Sequence, residues 1–405
     1  MVMRSSREII YDRFIKPFEK RERGNIGVEL EFPLINKNGG NVDTVFVSSI
    51  MDYFEERGFS CVLWGVGGEK LFMENEKGDT LSFDNSYNNF EFSMMYGDNL
   101  LEIEKRFSEY YSEVQTFLEK ENHTLCARGT NPNFPGIDVN HTPFSTYNMV
   151  QEYLHKFPGT HGYNDFPAFM SSVQTHLDTD IESLPKMYTL FCRMDFVRGL
   201  LFGNSPDFEG KGWRIFRDYL WAKSGFGNCP EITGSIDRKF ETTDDIVEFF
   251  IKKGMFNRIR DGKYEVFEPI EIEKYFDDEK YGARENDIEC YLSFRNVEIT
   301  SRGTLEIRSD CTQKDGFFFV PPAFNLGILY SAEKAHKCLL NFFKDNGIDK
   351  PSSELRKLVC EVREEEIAPK DALDTLCNDM IGIACEGLVK RGKGEEIILV
   401  QKYGI

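Results

Sequence analysis

The sequence predicts an α+β fold in which a mostly antiparallel sheet is backed by helices. Pairs of short strands joined by turn residues, at 80–93 and 296–310, indicate β-hairpins. Strands and helices do not alternate regularly along the chain, which argues against a doubly wound parallel sheet. The third observation is a set of strands in which every second residue is polar, and these strands also indicate where function would lie.

Four predicted strands alternate apolar residues with acidic, amide or basic ones. They occupy residues 27–32, 89–93, 173–178 and 304–310. Side chains of a strand point alternately to its two faces, so each strand would have one apolar and one polar face. The apolar faces would form a core, and the polar face of the sheet could bind a divalent metal ion and phosphate.

Apolar residues at helical spacing predict the helices that accompany this sheet. The predicted helices cover residues 6–20, 44–57, 99–119, 149–157, 184–203, 213–221, 321–346 and 352–392. Further short strands are predicted at residues 61–64, 71–73, 125–129 and 397–400. Residues 236–290 are rich in charge and follow no single period. We predict one domain over residues 1–405, with a helical C-terminal part from residue 331.

The composition argues against nucleic acid and membranes as partners. The chain has 405 residues and a net charge of −19, whereas sequence-independent binding to those polyanions requires a basic surface. No apolar run reaches the ~18 residues of a membrane span, and the first residues lack the apolar core of a signal peptide. We expect a soluble, cytoplasmic protein with small-molecule partners, and the sequence leaves its oligomeric state open.

Several common functional motifs do not occur in the sequence. There is no GxxxxGK[ST] phosphate-binding loop, and no GxGxxG opens a helix after a strand. None of the ten cysteines forms a CxxC pair, which makes a zinc cluster or a thioredoxin-type motif improbable. Any chemistry must therefore reside in other residues, and the polar faces of the four patterned strands are the first candidates.

Glu29 and Glu31 are the first candidate metal ligands. They share one face of a strand, where two carboxylates repel each other unless a cation lies between them. Hard oxygen ligands of this kind suit Mg²⁺. A solvated strand face shows the same alternation, so this motif alone leaves both interpretations open.

Charges of both signs share a face of the last patterned strand. Glu306, Arg308 and Asp310 stand at alternate positions there. The carboxylate could hold a cation while the guanidinium holds phosphate, and Glu306 with Arg308 could equally form a surface ion pair.

Two further sets of residues combine polar and aromatic groups. Gln174, His176 and Asp178 alternate with apolar residues, which fits either a site or a partly buried polar pair. His176 could act as a base, although no GxSxG motif accompanies it. Arg217 and Trp221 stand one helical turn apart and could clamp a substrate carboxylate beside an aromatic wall, or form a routine cation–π contact.

The order of these segments resembles the glutamate–cysteine ligase family, in the branch that includes the plant and many bacterial enzymes. The matching segments are residues 25–31, 81–93, 172–178, 201–206, 217–221, 304–327 and 386–391. They resemble the family motifs GxExE, ISxEPGGQxELS, TxxVQxxLD, ALFANSP, RxxIW, YLEMRGAD…LPAFWVGLLY and AxxGLxxR. Each motif is short, and their shared order over nearly the whole chain carries the resemblance.

The resemblance implies a saddle-shaped, glutamine synthetase-like sheet within a single catalytic domain. It also implies an ATP- and Mg²⁺-dependent ligase that forms γ-glutamylcysteine from L-glutamate and L-cysteine, a step of glutathione biosynthesis. ATP would phosphorylate the γ-carboxyl group, and the amine would attack the resulting γ-glutamyl phosphate. No nucleophile of the protein is needed for this chemistry.

The same resemblance implies roles for individual residues. The expected metal ligands are Glu29, Glu31, Glu91, Gln174 and Glu306. Arg308, assisted by Arg302, would contact the transferred phosphate. The expected substrate-binding residues are Arg217, Trp221, His176 and Asp84.

Two segments depart from the family pattern. Residues 84–89 replace Glu-Pro-Gly-Gly-Gln, so that Asp84, or Asn85 with an offset of one residue, stands for the glutamate. Residues 222–230 lack the family's acidic and arginine residues. Both segments would lie near the substrates, so a related ligase that couples glutamate or another amino acid to a different amine is an alternative. A second alternative is a regulatory module that binds amino acids or nucleotides without catalysis.

Overall fold

Thirteen strands form within residues 4–402, the part of the chain that this computed structural model describes. They are β1 (Ile26–Asn36), β2 (Phe59–Trp64), β3 (Lys70–Asn75), β4 (Thr80–Phe83), β5 (Asn89–Gly97), β6 (His123–Leu125), β7 (Ser172–Leu177), β8 (Thr233–Gly234), β9 (Gly254–Arg260), β10 (Lys263–Glu271), β11 (Phe294–Arg295), β12 (Val297–Ile299) and β13 (Leu305–Cys311).

Nine of these strands build one sheet in the order β12-β13-β7-β1-β5-β4-β3-β2, with β6 paired to the end of β1. Neighbouring strands of this sheet are antiparallel. The predicted α+β class with a mostly antiparallel sheet is therefore confirmed. Strands β9 and β10 form a separate antiparallel hairpin, and β8 and β11 a short parallel pair.

Fifteen α-helices form within the same residues. They are α1 (Ser6–Ile10), α2 (Thr44–Ser48), α3 (Ile50–Glu55), α4 (Leu100–Leu118), α5 (Ser145–Lys156), α6 (Leu184–Arg193), α7 (Asp195–Phe202), α8 (Phe216–Lys223), α9 (Thr243–Phe250), α10 (Ile272–Asp277), α11 (Val320–Tyr330), α12 (Ala332–Asp345), α13 (Ser352–Cys360), α14 (Lys370–Lys390) and α15 (Ile397–Gln401). Over residues 4–402 none of them combines the length and apolar character of a membrane-crossing helix.

Several predicted helices are divided in the structure. The predicted helix 184–203 breaks between α6 and α7, and Asp195, the first residue of α7, is fully buried. There its carboxylate accepts hydrogen bonds from Arg198 Nη2 at 2.7 Å and Ser309 Oγ at 2.8 Å. The predicted helix 321–346 is likewise divided, at Ser331.

One predicted strand, 397–400, is wrong, because these residues form α15. Leu399 and Val400 are both buried, whereas Ile398 is exposed. Two consecutive buried side chains suit one side of a helix and do not fit the alternation of a strand. A short apolar run is compatible with either structure when only the sequence is considered.

The apolar face of the large sheet packs against aromatic side chains from helices and loops. Val28, Leu30 and Phe32 of β1 are fully buried on this face. The ring centroid of Phe32 lies 5.0 Å from that of Phe318 and 6.0 Å from that of Phe107 on α4. This packing fixes which face of the sheet is the core, so the polar residues of the same strands must point to the other face.

Helices α11 and α14 cross behind the sheet at a pair of glycines. A Cβ atom added at Gly387 would overlap the backbone of Gly327, and one added at Gly327 would overlap the carbonyl of Ala384. Only glycine permits so close an approach of two helix backbones. The crossing gives a packing reason for glycine at these two positions, which belong to the motifs quoted above.

The strand register brings the polar residues into adjacent rows. On β1, Glu29 lies opposite Gln174 of β7 and Glu31 lies opposite Glu91 of β5. His176 of β7 in turn lies opposite Glu306 of β13. Four strands that are distant in sequence thus contribute to one surface.

Candidate active site

A cavity of about 240 Å³ opens on the polar face of the sheet. The predicted site residues that line it are Glu29, Glu31, Asp84, Glu91, Gln174, Arg217, Trp221 and Arg308. The remaining three predicted residues lie beside it. Glu306 is buried next to Arg308, to which it is bonded, and His176 and Arg302 line an adjoining cavity that shares Glu29.

Glu29, His176 and Glu306 form a compact group of possible metal ligands. One ligand atom from each residue lies within 4.8 Å of the others. His176 Nε2 lies 3.0 Å from Glu29 Oε1 and 3.6 Å from Glu306 Oε1. We predicted a substrate contact for His176, whereas the structure places its ring between two predicted metal ligands.

The orientation of the His176 ring is set from both sides. Its Nδ1 lies 3.3 Å from the hydroxyl oxygen of Thr304, which leaves Nε2 facing the two carboxylates. Gly27 stands opposite His176 in the strand pairing, and a Cβ atom there would lie 3.4 Å from the Cβ of His176. A larger side chain at position 27 would crowd the imidazole.

The second group of carboxylates contains Glu31 of β1 and Glu91 of β5, which lie opposite each other in the strand pairing. Glu31 accepts hydrogen bonds from the amide of Ser172 at 2.8 Å and from the amide nitrogen of Gln174. Burial, together with the negative charge of Asp84, raises the pKa of Glu31 to about 8. Burial and three neighbouring carboxylates raise the pKa of Glu91 well above its usual value.

These two groups of residues fit divalent cations. In the second group, the raised pKa values of Glu31 and Glu91 indicate negative charges that lack sufficient positive compensation. Gln174 Oε1 is buried without a hydrogen-bond partner and is free to act as a ligand. Oxygen ligands with one imidazole suit Mg²⁺ or a similar ion, which would supply the missing positive charge.

Arginines supply the positive charge that the site does contain. Arg308 is bonded to Glu306, and Arg302 Nη2 lies 3.7 Å from Glu29 Oε1. Burial alone would raise the pKa of Glu29, but the attraction of His176 and of these two arginines outweighs it and lowers that pKa to about 2. Glu29 therefore stays ionised throughout the physiological range.

Helix α8 places Arg217 and Trp221 on the cavity wall. Arg217 Nη1 donates to the carbonyl oxygen of Arg308 at 3.3 Å, whereas Arg217 Nε is buried without a partner. The Trp221 ring stacks on Phe294 with 4.6 Å between centroids and an interplanar angle of 20°. The unpaired nitrogen beside an aromatic wall could receive a substrate carboxylate.

Residues that the sequence did not predict also line the cavity. They include Tyr147, Asp218, Leu292, Phe294, Arg295 and Asn296, and Asn85, the predicted alternative to Asp84, lines the cavity as well. Asp218 adjoins Arg217 and could have been found from that motif. Tyr147 lies in α5, just before the predicted helix 149–157 begins, and the remaining residues come from loops or very short strands without a period.

The chain is similar to a known protein family and to several solved structures. Residues 25–346 match the family described as Glutamate-cysteine ligase family 2. A bifunctional glutathione synthetase from Pasteurella multocida aligns at 15% identity with a TM-score of 0.54, over 99% of this chain and 49% of that one. The chain thus spans about half the length of that synthetase. A glutamate–cysteine ligase from Francisella tularensis, in complex with AMP, aligns at 12% identity with a TM-score of 0.45, over 95% and 82% of the two chains.

No curated protein sequence matches the chain. At 15% identity the similarity to the synthetase concerns the fold alone. The family match covers most of the chain and includes all the strands that carry the carboxylates and arginines described above. The chain therefore belongs to glutamate–cysteine ligase family 2.

Proposed function

We propose that the protein is an ATP- and Mg²⁺-dependent ligase that joins the γ-carboxyl group of glutamate to an amine. The observation that carries this proposal is the convergence of carboxylates from β1 and β5 and of the Gln174 amide from β7 on one cavity, with Arg217 and Arg308 in the same wall. Such a wall combines ligands for metal ions with donors for phosphate and carboxylate. The family match supports an ATP-dependent carboxylate–amine ligase.

Two sets of residues would hold the metal ions. Glu29, His176 and Glu306 would bind one ion, and Glu31, Glu91 and Gln174 a second, with Asp84 beside them. A divalent cation bound there would neutralise phosphate oxygens and polarise the phosphoryl group that is transferred.

The adjoining cavity is the candidate nucleotide site. Its lining includes Arg302 and His176 and also Met95 and Tyr96. Arg302 would face the phosphates, and Met95 and Tyr96 would face the base. Because this cavity shares Glu29 with the first, the γ-phosphate could reach a carboxylate held in the first cavity.

Glutamate would lie in the first cavity. Arg217 would bind its α-carboxylate, since its Nε lacks a partner, and Arg308 would stabilise the charge that develops on the transferred phosphoryl group. The γ-carboxylate attacks the γ-phosphorus of ATP and becomes an acyl phosphate, which the amine then converts to the amide. Cysteine is the acceptor that the family description names, so it is the reference acceptor.

Hydroxylamine provides a test that does not depend on the natural acceptor. The protein is incubated with ATP, Mg²⁺, glutamate and hydroxylamine, and both ADP and γ-glutamyl hydroxamate are measured. Formation of both, in equal amounts and only when glutamate is present, is the expected result. ATP binding without glutamate-dependent ADP release would support the non-catalytic binding module instead, and absence of hydroxamate would refute the ligase.

Variants of the metal-binding carboxylates extend the test. Glu29→Ala and Glu306→Ala should each lower hydroxamate formation by about 100-fold or more, because each removes a charge that positions the metal ion. Glu333→Ala, at an exposed position on α12, is the matched control and should remain fully active. A fully active Glu306→Ala variant would remove that residue from the site.

A further inference from the structure

The acceptor side of the cavity is apolar. Val150, Met170, Trp221, Leu292 and Phe294 contribute to the cavity wall, in addition to the polar residues already described. Val150 and Met170 are almost completely buried behind it, and the stacked rings of Trp221 and Phe294 form a flat aromatic surface. A wall of this kind favours an apolar group on whatever molecule fills the space.

Two of the three arginines that line the cavity already have partners. Arg295 donates Nε to the carbonyl oxygen of Glu231 at 3.0 Å and Nη1 to that of Ser235 at 2.7 Å, and it also forms an ion pair with Glu231. Arg308 is bonded to Glu306 and faces the phosphate in the proposed reaction. The buried Nε of Arg217 is then the remaining donor for a carboxylate, and the α-carboxylate of glutamate takes it.

A carboxylate on the second substrate would have no cationic side chain as a partner. Within residues 4–402, the cavity lining contains no arginine other than these three, and no lysine. The lining does contain Asp84 and Asp218, in addition to the glutamates of the metal groups. An amino acid as acceptor would place an unpaired negative charge among these acids and against apolar side chains, which is costly. A carboxylate-free amine would enter as a cation that the acids attract.

We propose that the acceptor is an amine with an apolar body and no carboxylate group, such as an alkylamine or an arylalkylamine, rather than an α-amino acid. This inference rests on the proposed ligase function and on glutamate as the donor. It departs from cysteine, the reference acceptor, because cysteine carries a carboxylate and only a small side chain.

The reaction balances without any further reagent. The glutamate γ-carboxylate displaces ADP from the γ-phosphorus of ATP and forms the acyl phosphate. The alkylammonium ion loses one proton to solvent, and the lone pair of its nitrogen attacks the acyl carbon. The carbon–nitrogen bond forms, the bond from carbon to the phosphate oxygen breaks, and the second proton leaves with the phosphate as hydrogenphosphate.

Matched pairs of acceptors test the proposal. The protein is given ATP, Mg²⁺ and glutamate with 3-methylbutylamine or leucine, with phenethylamine or phenylalanine, and with cysteamine or cysteine. The amide product is identified by mass spectrometry, and kcat/KM is obtained from ADP release. In each pair we expect the amine to exceed its amino acid by at least about tenfold, because the site has no further cationic side chain for the extra carboxylate.

The outcomes separate this inference from the proposed function. If hydroxamate forms but the amino acids equal or exceed their amines, the ligase stands and the acceptor inference is overturned. If no hydroxamate forms, the proposed function fails and this inference falls with it.

A variant of the aromatic wall tests the apolar body separately. Phe294→Ala should raise the KM for phenethylamine by at least about fivefold, and change the KM for hydroxylamine much less, because hydroxylamine does not reach the wall. Equal changes for the two acceptors would overturn the assignment of this wall to the acceptor.

Discussion

His176 Nε2 lies 3.0 Å from Glu29 Oε1, and this contact joins strand β7 to strand β1 across the polar face of the sheet. The two residues are distant in sequence, and each belongs to a strand that alternates polar and apolar residues. Their contact, with Glu306 3.6 Å from the same nitrogen, gives the site a mixed set of nitrogen and oxygen donors. His176 lines the adjoining cavity, whereas Arg217 and Trp221, which we also predict to bind substrate, line the first one.

Replacing His176 tests whether it binds metal. His176→Ala should lower ADP release by about 100-fold and raise the Mg²⁺ concentration needed for half-maximal activity, because one donor is lost. Activity is measured over a range of Mg²⁺ and glutamate concentrations, and His336→Ala on α12 serves as the control. A higher KM for glutamate with an unchanged Mg²⁺ requirement would instead support a substrate contact.

Glu31 should make the stability of the metal-free protein depend on pH. Its pKa is raised from 4.5 to about 8 in the folded state, so the folded protein binds this proton more tightly than the unfolded chain does. The free energy of unfolding should then fall as the pH rises from 4.5 to 8, by on the order of a few kcal/mol.

Urea unfolding in the presence of a chelator measures this effect. Glu31→Gln should show a smaller loss of stability between pH 5 and pH 8 than the unmodified protein, because the variant cannot ionise at this position. Added Mg²⁺ should stabilise the unmodified protein more at pH 8 than at pH 5, since the ion competes with the proton. The same pH dependence in both proteins would contradict the assignment of the raised pKa to Glu31.

Arg356 is predicted to position the cavity wall without contacting substrate. It is buried, its Nε donates to Asp218 Oδ2 at 2.8 Å, and its Nη2 donates to the carbonyl oxygen of Ser309 at 3.1 Å. It thereby links the helix that carries Arg217 to the strand that carries Arg308. Arg356→Met should lower the free energy of unfolding by on the order of 3–5 kcal/mol, because Asp218 loses its partner.

The double variant Arg356→Met with Asp218→Asn distinguishes a lost charge pair from lost packing. It should regain part of the stability, since no unpaired aspartate remains. In Arg356→Met the KM for glutamate should rise more than kcat falls, because Arg217 is displaced while the metal-binding residues are not. Equal losses in the single and double variants would argue against the charge pair.

The glycine crossing of α11 and α14 yields a prediction about stability alone. Gly387→Ala should lower the free energy of unfolding by on the order of 1–3 kcal/mol, because the new methyl group would overlap the backbone of Gly327. Gly382→Ala in the same helix meets no atom within 4 Å and should stabilise the protein by up to about 1 kcal/mol. Thermal unfolding of the two variants provides the comparison, and a stable Gly387→Ala variant would refute the crossing.

The sequence predicts the faces of the strands better than it predicts their neighbours. The alternation of Glu29 and Glu31 with Val28 and Leu30 is a local property, so the polar face could be recognised from the chain alone. The pairing of His176 with Glu306 depends on strand register between distant segments, which no local pattern encodes. The motif therefore predicts a substrate-binding role for His176, whereas its position beside Glu29 emerges only in the folded protein.

The unpredicted parts of the site lie where the chain has no period. Tyr147 lies in the first turn of α5, shortly after a loop rich in proline and asparagine. Asn296 stands between two very short strands. The breaks within the predicted helices have a related cause, because the buried carboxylate of Asp195 is placed by partners from other parts of the chain. Local preference is overridden in these segments by contacts that form only in the complete fold.

Strand β1 is an interior strand of the sheet and carries both Glu29 and Glu31, while its other face belongs to the core. We therefore expect its backbone amides to be among the slowest of the protein to exchange with deuterium, as is usual for interior strands of a core sheet. A shift of this strand by a single residue would turn Glu29 and Glu31 towards the core and place Val28 and Leu30 on the polar face. We therefore expect the core and the ligands to be lost together, and recovery of catalysis after dilution from denaturant should follow recovery of the native sheet without delay.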